Sequence, residues 1–405
     1  MTMKFSVLLP TRNRLDLLRY AIETVRRQDY PNWEIIVSDN CSDEDVKGYL
    51  ASLDDDRIKY SRSARLIPVT DNWNSALELS GGDYVVMLGD DDGLIKGYFS
   101  TLRNVIAKHD APELIYTSAL LYAYPGVIPS YPDGFLRSYL NKRIYRSARD
   151  PFWLEKREAA MLAHHSLNFR MRFEYNMQFS LVSRSLIARL KKYGHFYQSP
   201  YPDYYASNAM MLNANRILVV PQPLVTIGIS PKSFGFYYFN DLESKGNEFL
   251  HNMESDMEPD VRSVVLPGTD MNTSWLLAME TLVKNYGTEL GIQTNRNRYR
   301  FLQICAVYIK VILRAKAGTS LLKEIRNKMT LVERCYSLPL TLLVLVCAVL
   351  PRVLRAVIAR KLFALTGSHQ RDVLPRIEGK YRTMLDVFHR VPSQWKQQTT
   401  SDECG

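Results

Sequence analysis

Cysteine is scarce in this chain: five residues in 405, at Cys41, Cys305, Cys335, Cys347 and Cys404, with no Cys-x-x-Cys pair. An odd, scattered set excludes a disulfide framework and a cysteine-based zinc cluster, and favours a reducing compartment. The adjacent pair His164-His165 has no acidic or histidine companions at ligand spacing, so a histidine zinc site is excluded as well. Internal repeats and low-complexity tracts are also missing. With 46% apolar and 23% charged residues there is no compositional case for disorder. The longest apolar stretch, Leu338–Leu350, has thirteen residues, with Pro339 near its start and Pro351 just beyond it. A bilayer-spanning helix needs roughly 20, so a simple span is not expected. Met1-Thr2-Met3-Lys4 leads straight into a short apolar strand without a secretory leader, so a cytoplasmic location is expected.

What is present is length and charge. The chain is long enough for a catalytic domain of about 200 to 250 residues plus a further module. Net charge is +10, unevenly placed: Arg296–Lys361 holds fourteen Lys/Arg against two acids, Glu324 and Glu333. An anionic partner follows, phospholipid or nucleic acid. The basic residues interleave with aliphatic rather than aromatic side chains, poor material for base stacking. An anionic membrane surface facing 296–366 is therefore the expected partner, with no nucleic acid. Past Pro351, Leu354, Val357 and Ile358 share a helical face opposite Arg352 and Arg355, although Lys361 falls on the apolar side. Residues 336–366 thus read as an interfacial or re-entrant membrane element; a buried helical hairpin or a dimer contact is the competing reading.

The first 120 residues alternate strand and helix patterns: strands at Phe5–Leu9, Trp33–Val37, Arg57–Ser61, Tyr84–Leu88 and Glu113–Ser118, with helices between them. That order predicts an α/β fold with a Rossmann-like, mostly parallel sheet flanked by helices, whose ligands collect at the carboxyl ends of the strands. Residues 120–200 are Tyr- and Arg-rich and read as loops over an acceptor cleft. A strand-helix unit follows at Ser180–Lys191, then a helix opened by Pro202-Asp203 and an extended segment Arg216–Gly228. Gly228, Ser230 and Gly235 fit a flap or a plain turn, and beyond 240 the chain is mainly helical.

Polar clusters fall at three strand ends: Thr11-Arg12-Asn13, Asp39-Asn40 and Asp90-Asp91-Asp92. Three adjacent carboxylates repel one another and are costly to desolvate. A hard divalent cation carrying a phosphate is their natural complement.

The runs Val7-Leu8-Leu9-Pro10-Thr11-Arg12-Asn13-Arg14 and Trp33–Asp43, then Asn72-Trp73-Asn74, Gly82-Asp83-Tyr84 and the acidic triple, resemble the opening of a family 2 glycosyltransferase with the GT-A fold. The resemblance covers residues 4–235. It implies a nucleotide-diphospho-sugar site formed by Pro10, Thr11, Arg12, Asn13, Asp39, Asn40, Asn72, Asn74, Asp90 and Asp91, with Asp39 accepting from the base imide of a UDP- or dTDP-sugar. It also implies a metal, Mg²⁺ or Mn²⁺, held by Asp92, Asp91 and Asp90, with Asp92 the principal ligand. Gly89 stands where the family's usual pattern has its first Asp. Asp203 is the implied general base of an inverting transfer to a hydroxyl of a polysaccharide, lipid-linked glycan or other cell-surface precursor; the competing reading makes it an N-cap. His195 and the Tyr116–Tyr145 aromatics carry less weight.

The expected layout is a catalytic domain at 1–235 (nucleotide-sugar half 1–120, acceptor half 121–235), a helical extension at 236–335, the interfacial element at 336–366 and a tail at 367–405. The enzyme is expected on the inner face of the plasma membrane. Two other classes compete: a Mg²⁺-dependent phosphohydrolase or phosphotransferase, disfavoured because the acids follow the fourth strand rather than the first, and a basic nucleic-acid-binding protein.

Overall fold

The computed structural model describes residues 3–139, 142–233, 236, 257–314, 319–367 and 376–392. The first third alternates as expected: β1 (Phe5–Thr11), α1 (Leu15–Arg26), β2 (Trp33–Asp39), α2 (Val46–Ala51), β3 (Ile58–Arg62), α3 (Val69–Leu79), β4 (Tyr84–Met87), β5 (Gly93–Leu94), α4 (Tyr98–Lys108) and β6 (Leu114–Ala123). There follow β7 (Phe135–Tyr139), α5 (Lys142–Tyr145), β8 (Phe152–Leu154), α6 (Lys156–Leu167), β9 (Ser180–Ser183), α7 (Arg184–Leu190), α8 (Pro202–Asn213) and β10 (Ile217–Ile229). The strands make one sheet in the order β3-β2-β1-β4-β9-β6-β10-β5, with β7 on β6 and β8 on β10.

Strands β1 to β4 pair in parallel, as do β6 and β10, while β9 sits antiparallel between β4 and β6. The strand-helix rhythm foretells the parallel part; the central reversed strand has no local signature. Strands β1 and β2 are buried along almost their whole length, which explains their near-continuous apolar runs. Helix α1 turns Leu17, Leu18, Ala21, Ile22 and Val25 onto the sheet at helical spacing. Register aligns Thr11 with Asp39, and Leu88 N–H bonds Leu8 O at 2.9 Å. The first, second and fourth strands therefore deliver their polar ends to one edge.

The expected strand-helix unit at Ser180–Lys191 is present as β9 and α7, and residues 120–179 are more regular than expected, holding β7, α5, β8 and α6. Their tyrosines bury the ring and bond the hydroxyl internally, as with Tyr145 to Thr117 O and Tyr122 to Tyr381 O, both 2.7 Å. Polarity alone makes such segments look like loops. Strand β10 runs thirteen residues with irregular register around Pro223, where a ring without an N–H would otherwise break the ladder.

The C-terminal part is helical: α9 (Pro259–Val264), α10 (Asp270–Leu290), α11 (Arg296–Arg314), α12 (Thr319–Lys328), α13 (Leu331–Tyr336), α14 (Leu338–Ala348), α15 (Arg352–Leu365) and α16 (Met384–Arg390). Helix α10 packs on α8, burying Trp275, whose indole donates to Ser166 O at 3.1 Å. Helices α14 and α15 lie on α11 through Cys347 and Ala359. Their other face leaves Leu345 (65% exposed), Val349 (84%) and Val353 (76%) uncovered, so the hairpin is buried on one side only. Among the described residues no helix is long and apolar enough to cross a membrane. Residues 376–392 return to the sheet domain: Ile377 N–H bonds Leu136 O and Tyr381 N–H bonds Asp133 O, each at 2.8 Å. Gly235 lies outside the described residues.

Candidate active site

The acidic triple forms the turn between β4 and β5, and all three residues are buried. Each carboxylate does something different. Asp90 accepts from Thr11 Oγ1 (2.8 Å) and pairs with Arg14 Nη1 (3.0 Å), joining the ends of β1 and β4. Asp91 accepts from Ser230 Oγ at 3.1 Å, and its carbonyl accepts from Tyr124 Oη at 3.1 Å. Asp92 turns inward, accepting Gly89 N–H (2.9 Å), Gly228 N–H (2.8 Å) and the Gln178 side-chain amide.

Asp92, expected as the principal metal ligand, is thus bonded to the protein through both oxygens. These bonds tie the turn together, whereas Asp91 has a single side-chain donor, Ser230 Oγ. Burial raises the proton affinity of Asp91 and Asp92; for Asp91 the Arg14 charge opposes this and Asp90 adds to it, and for Asp92 the neighbouring Asp91 adds to it. Such a pair gains from a cation. Among the described residues no group of three or more His, Cys, Asp or Glu side chains is gathered closely enough to hold an ion alone. Mg²⁺ commonly takes only one or two carboxylates and completes its shell with substrate phosphates and water. The residues present therefore fit a cation that arrives with a diphosphate, with Asp91 as the ligand and Asp90 beside it.

The surrounding walls are basic and close-fitting. Arg14 also donates to Lys232 O, and Lys232 Nζ reaches Asp16 at 3.0 Å and Asn13 O at 3.4 Å. The segment after β10 is thus strapped across the β1 end. Gly228 is required by space, since a Cβ there would stand 1.8 Å from the Asp91 carbonyl oxygen.

Asp39 lies at the end of β2, buried, accepting Ser42 N–H (2.9 Å) and Tyr60 Oη (2.9 Å), with Arg62 Nε at 3.6 Å. Arg12 Nη1 bonds Asn40 O at 2.8 Å, and Asn13 exchanges side-chain bonds with Asp43. Asn40, Asn72 and Asn74, expected to face the nucleotide, instead spend their amides inside the protein. Asn40 clips Ile67, Asn72 clips Ser38, and Asn74 clips Thr70 and Tyr197. The physical reason is that buried amides must satisfy their donors and acceptors within the protein.

Asp203 sits in the first turn of α8, one residue after Pro202; the cap position is Tyr201, so Asp203 is not the N-cap. Its carboxyl accepts Tyr204 N–H at 2.9 Å. Burial pushes the carboxyl up to about 7, although the residue as a whole is only partly covered. Helix α8 connects to the acidic turn through Ser207, which bonds Tyr175 O at 2.6 Å, and through the 3₁₀ turn Met177–Phe179, which packs on α8 and carries Gln178 to Asp92. His195 is exposed and lies 3.9 Å from Glu78, away from this constellation.

Arg14, Gln178, Tyr124 and Lys232 were not picked out from the sequence as site residues. Arg14 had a signal, a second basic residue three positions from Thr11 that could offset clustered acids. Tyr124 belongs to the Tyr116–Tyr145 stretch weighed as sugar-stacking aromatics, whereas Gln178 and Lys232 had no signal, because only the folded chain brings them there.

Residues 6–158 match the family model described as Glycosyl transferase family 2. The GalNAc(5)-diNAcBac-PP-undecaprenol beta-1,3-glucosyltransferase of Campylobacter jejuni subsp. jejuni is 44% identical over 103 residues, 24% of this chain and 33% of that protein. The UDP-Glc:alpha-D-GlcNAc-diphosphoundecaprenol beta-1,3-glucosyltransferase WfgD of Escherichia coli is 28% identical over 87 residues, 22% of this chain and 34% of that protein. The match thus spans about a third of the length of either relative. The solved structure of S. aureus TarS 1–349 in complex with UDP-GlcNAc aligns at 16% identity and a TM-score of 0.44 over 82% of this chain and 91% of that one. Residues 6–158 thus carry a segment similar to glycosyl transferase family 2, set in an α/β sheet domain that is followed by a helical C-terminal part.

Proposed function

We propose that this protein is an inverting glycosyltransferase that moves a sugar from a UDP- or dTDP-activated donor to a hydroxyl of a lipid-linked or related cell-surface glycan. The observation that carries the reading is the buried acidic turn, bonded through Asp90 to Thr11 and Arg14 at the end of β1. Clustered anions among basic side chains suit a cation-bound diphosphate and little else. A divalent cation, when bound, stabilises the charge that builds on the departing diphosphate. Arg14 and Lys232 add fixed positive charge on the same side. Asp39, at the end of β2, would accept from the imide of the base. The acceptor oxygen attacks the anomeric carbon as the bond to the β-phosphate oxygen breaks, and Asp203 takes the hydroxyl proton. The two relatives named above carry diphosphoundecaprenol-linked acceptors in their names, which supports a lipid-linked acceptor here.

Such an acceptor lies at a membrane, and the C-terminal helices suit one. Exposed Leu345, Val349 and Val353 are flanked by exposed Arg334, Arg352, Arg360 and Lys361, an apolar face with a basic rim. A second copy on this face would bring two basic rims together, so an anionic leaflet fits better than self-association.

The test is a matrix of nucleotide-sugars with Mn²⁺, Mg²⁺ or EDTA, read by diphosphate release and by thermal shift. Release that needs both one donor and a divalent ion supports the reading. Hydrolysis of simple phosphomonoesters without nucleotide preference would replace it with a phosphohydrolase.

A further inference from the structure

The segment 376–392, remote in sequence, is built into the wall of the acidic turn. Residue 93 follows the three carboxylates directly and has no side chain. A Cβ there would stand 2.6 Å from Met384 Cγ and 3.2 Å from Thr24 Cγ2, so Gly93 is held between α16 and α1. On the opposite edge, Gly93 and Leu94 pair antiparallel with Thr226 and Val225 of β10. Ahead of α16, Tyr381 O accepts from Tyr122 Oη (2.7 Å), whose ring lies 4.5 Å from that of Tyr124, the donor to Asp91 O. Met384, Val387 and Val391 share one apolar cluster with Tyr122, Tyr124 and Ile95. A capping box at Thr383 and Asp386 fixes where the helix starts, and so fixes the height of Met384.

We propose that α16 and its lead-in are a positioning element for the donor site, with Met384 the positioning residue that sets the Asp90–Gly93 turn. This rests on the nucleotide-sugar reading for its consequence and on packing alone for its geometry. Without α16, one side of β5 loses its packing and the turn rests on β10 and α1. Asp91 would then sample orientations that cannot meet a cation and diphosphate together.

The experiment uses the full chain as wild type, Met384→Leu and Met384→Ala, with hydrogen exchange of the peptide covering residues 88–95 and titration of UDP in Mn²⁺, both well below the melting temperature. Met384→Ala is expected to speed exchange in that peptide about tenfold, with the β2 peptide unchanged, and to weaken Mn²⁺-dependent UDP binding by about tenfold. Met384→Leu, which keeps most of the volume, is expected to stay within about twofold on both. A merely structural role would lower the melting temperature while leaving 88–95 exchange and UDP affinity at wild-type values, and that result overturns the proposal. If wild type takes neither UDP nor dTDP, the donor reading fails, and exchange at 88–95 still decides whether α16 sets the turn. Should Met384→Ala not fold, Tyr122→Phe, which removes only the bond to Tyr381 O, is expected to raise exchange at 88–95 in the same direction; no change overturns the idea.

Discussion

Replacing Asp203 with Asn separates catalysis from stability, because the two respond with opposite signs. The carboxyl is desolvated in the folded protein and titrates near 7 rather than in the ordinary carboxylate range. The folded state therefore holds a proton that the unfolded chain has released, between roughly pH 4 and 7. Stability contributed by this group is full below that window and is lost as pH rises through it. At pH 8 wild type carries a poorly solvated anion, and the amide variant carries none. A gap of about three units corresponds to roughly 4 kcal/mol at most, and partial exposure of the residue trims this toward about 2 kcal/mol. Asp203→Asn should accordingly melt a few degrees above wild type at pH 8, with the advantage shrinking as pH falls and vanishing near pH 4, where the unfolded wild type takes up its proton too.

Turnover should move the other way. Loss of a general base costs about 10²–10⁴ in rate while UDP binding persists. In wild type the base must be ionised, so turnover should climb with pH and level off above about 7. Melting curves from pH 4 to 8, run beside a diphosphate-release assay, give both readouts on one preparation. An Asp203→Asn protein that is less stable than wild type at pH 8, or that keeps turnover within about tenfold, refutes the argument. The first outcome would mean that the anion is stabilised by the helix start, and the second that another group takes the proton.

Asp91→Asn should abolish the Mn²⁺ dependence of UDP binding at near-normal melting temperature; unchanged Mn²⁺-dependent affinity would move the cation elsewhere. Asp92→Asn, by contrast, disturbs bonds to Gly89, Gly228 and Gln178 and should lower stability by about 1–3 kcal/mol, measured by denaturant unfolding. Gly228→Ala must push the Asp91 carbonyl aside, so donor turnover should fall at least about tenfold, with wild-type activity as the refuting result. Leu345→Glu with Val349→Glu should remove sedimentation with anionic vesicles while leaving turnover on a soluble acceptor intact. Sedimentation that persists would shift the contact to another surface.

Much of the sheet domain was legible because strands buried on both sides announce themselves as apolar runs ending in polar residues. Phe5–Thr11 and Trp33–Asp39 are of this kind, and their register alone brings Thr11 and Asp39 level. What was illegible depends on groups far apart in sequence. Strand β9 enters the sheet centre antiparallel, and nothing in Ser180–Ser183 shows which neighbours it will choose. Strand β7 is paired in part by Ile377, about 240 positions later, so its Tyr- and Arg-rich sequence looked like a loop. Adjacent carboxylates pose the same difficulty at smaller scale. Which of Asp91 and Asp92 faces the ligand depends on where Gly228 and Gln178 arrive, and both come from outside the motif.

Gly89 shows how the departure from the family's usual Asp at that position is accommodated. A Cβ on residue 89 would lie 2.6 Å from Asp92 Oδ2, so the Asp92 carboxylate already fills the space that a side chain at 89 would need. That carboxylate in turn accepts Gly89 N–H, which a displaced backbone could no longer offer. Restoring an acid at 89 would therefore expel Asp92 from its bonds to Gly228 and Gln178 rather than add a ligand. Meanwhile Asp90 is bonded to Thr11 and paired with Arg14, so the charge missing at 89 reappears one residue later, already offset by a guanidinium. The three carboxylates are bonded in three different ways: Asp90 latches β4 to β1, Asp92 braces the backbone, and Asp91 is the one that the proposed cation would meet. A turn bonded in this way keeps its shape without an acid at 89, because neither the latch nor the brace uses one.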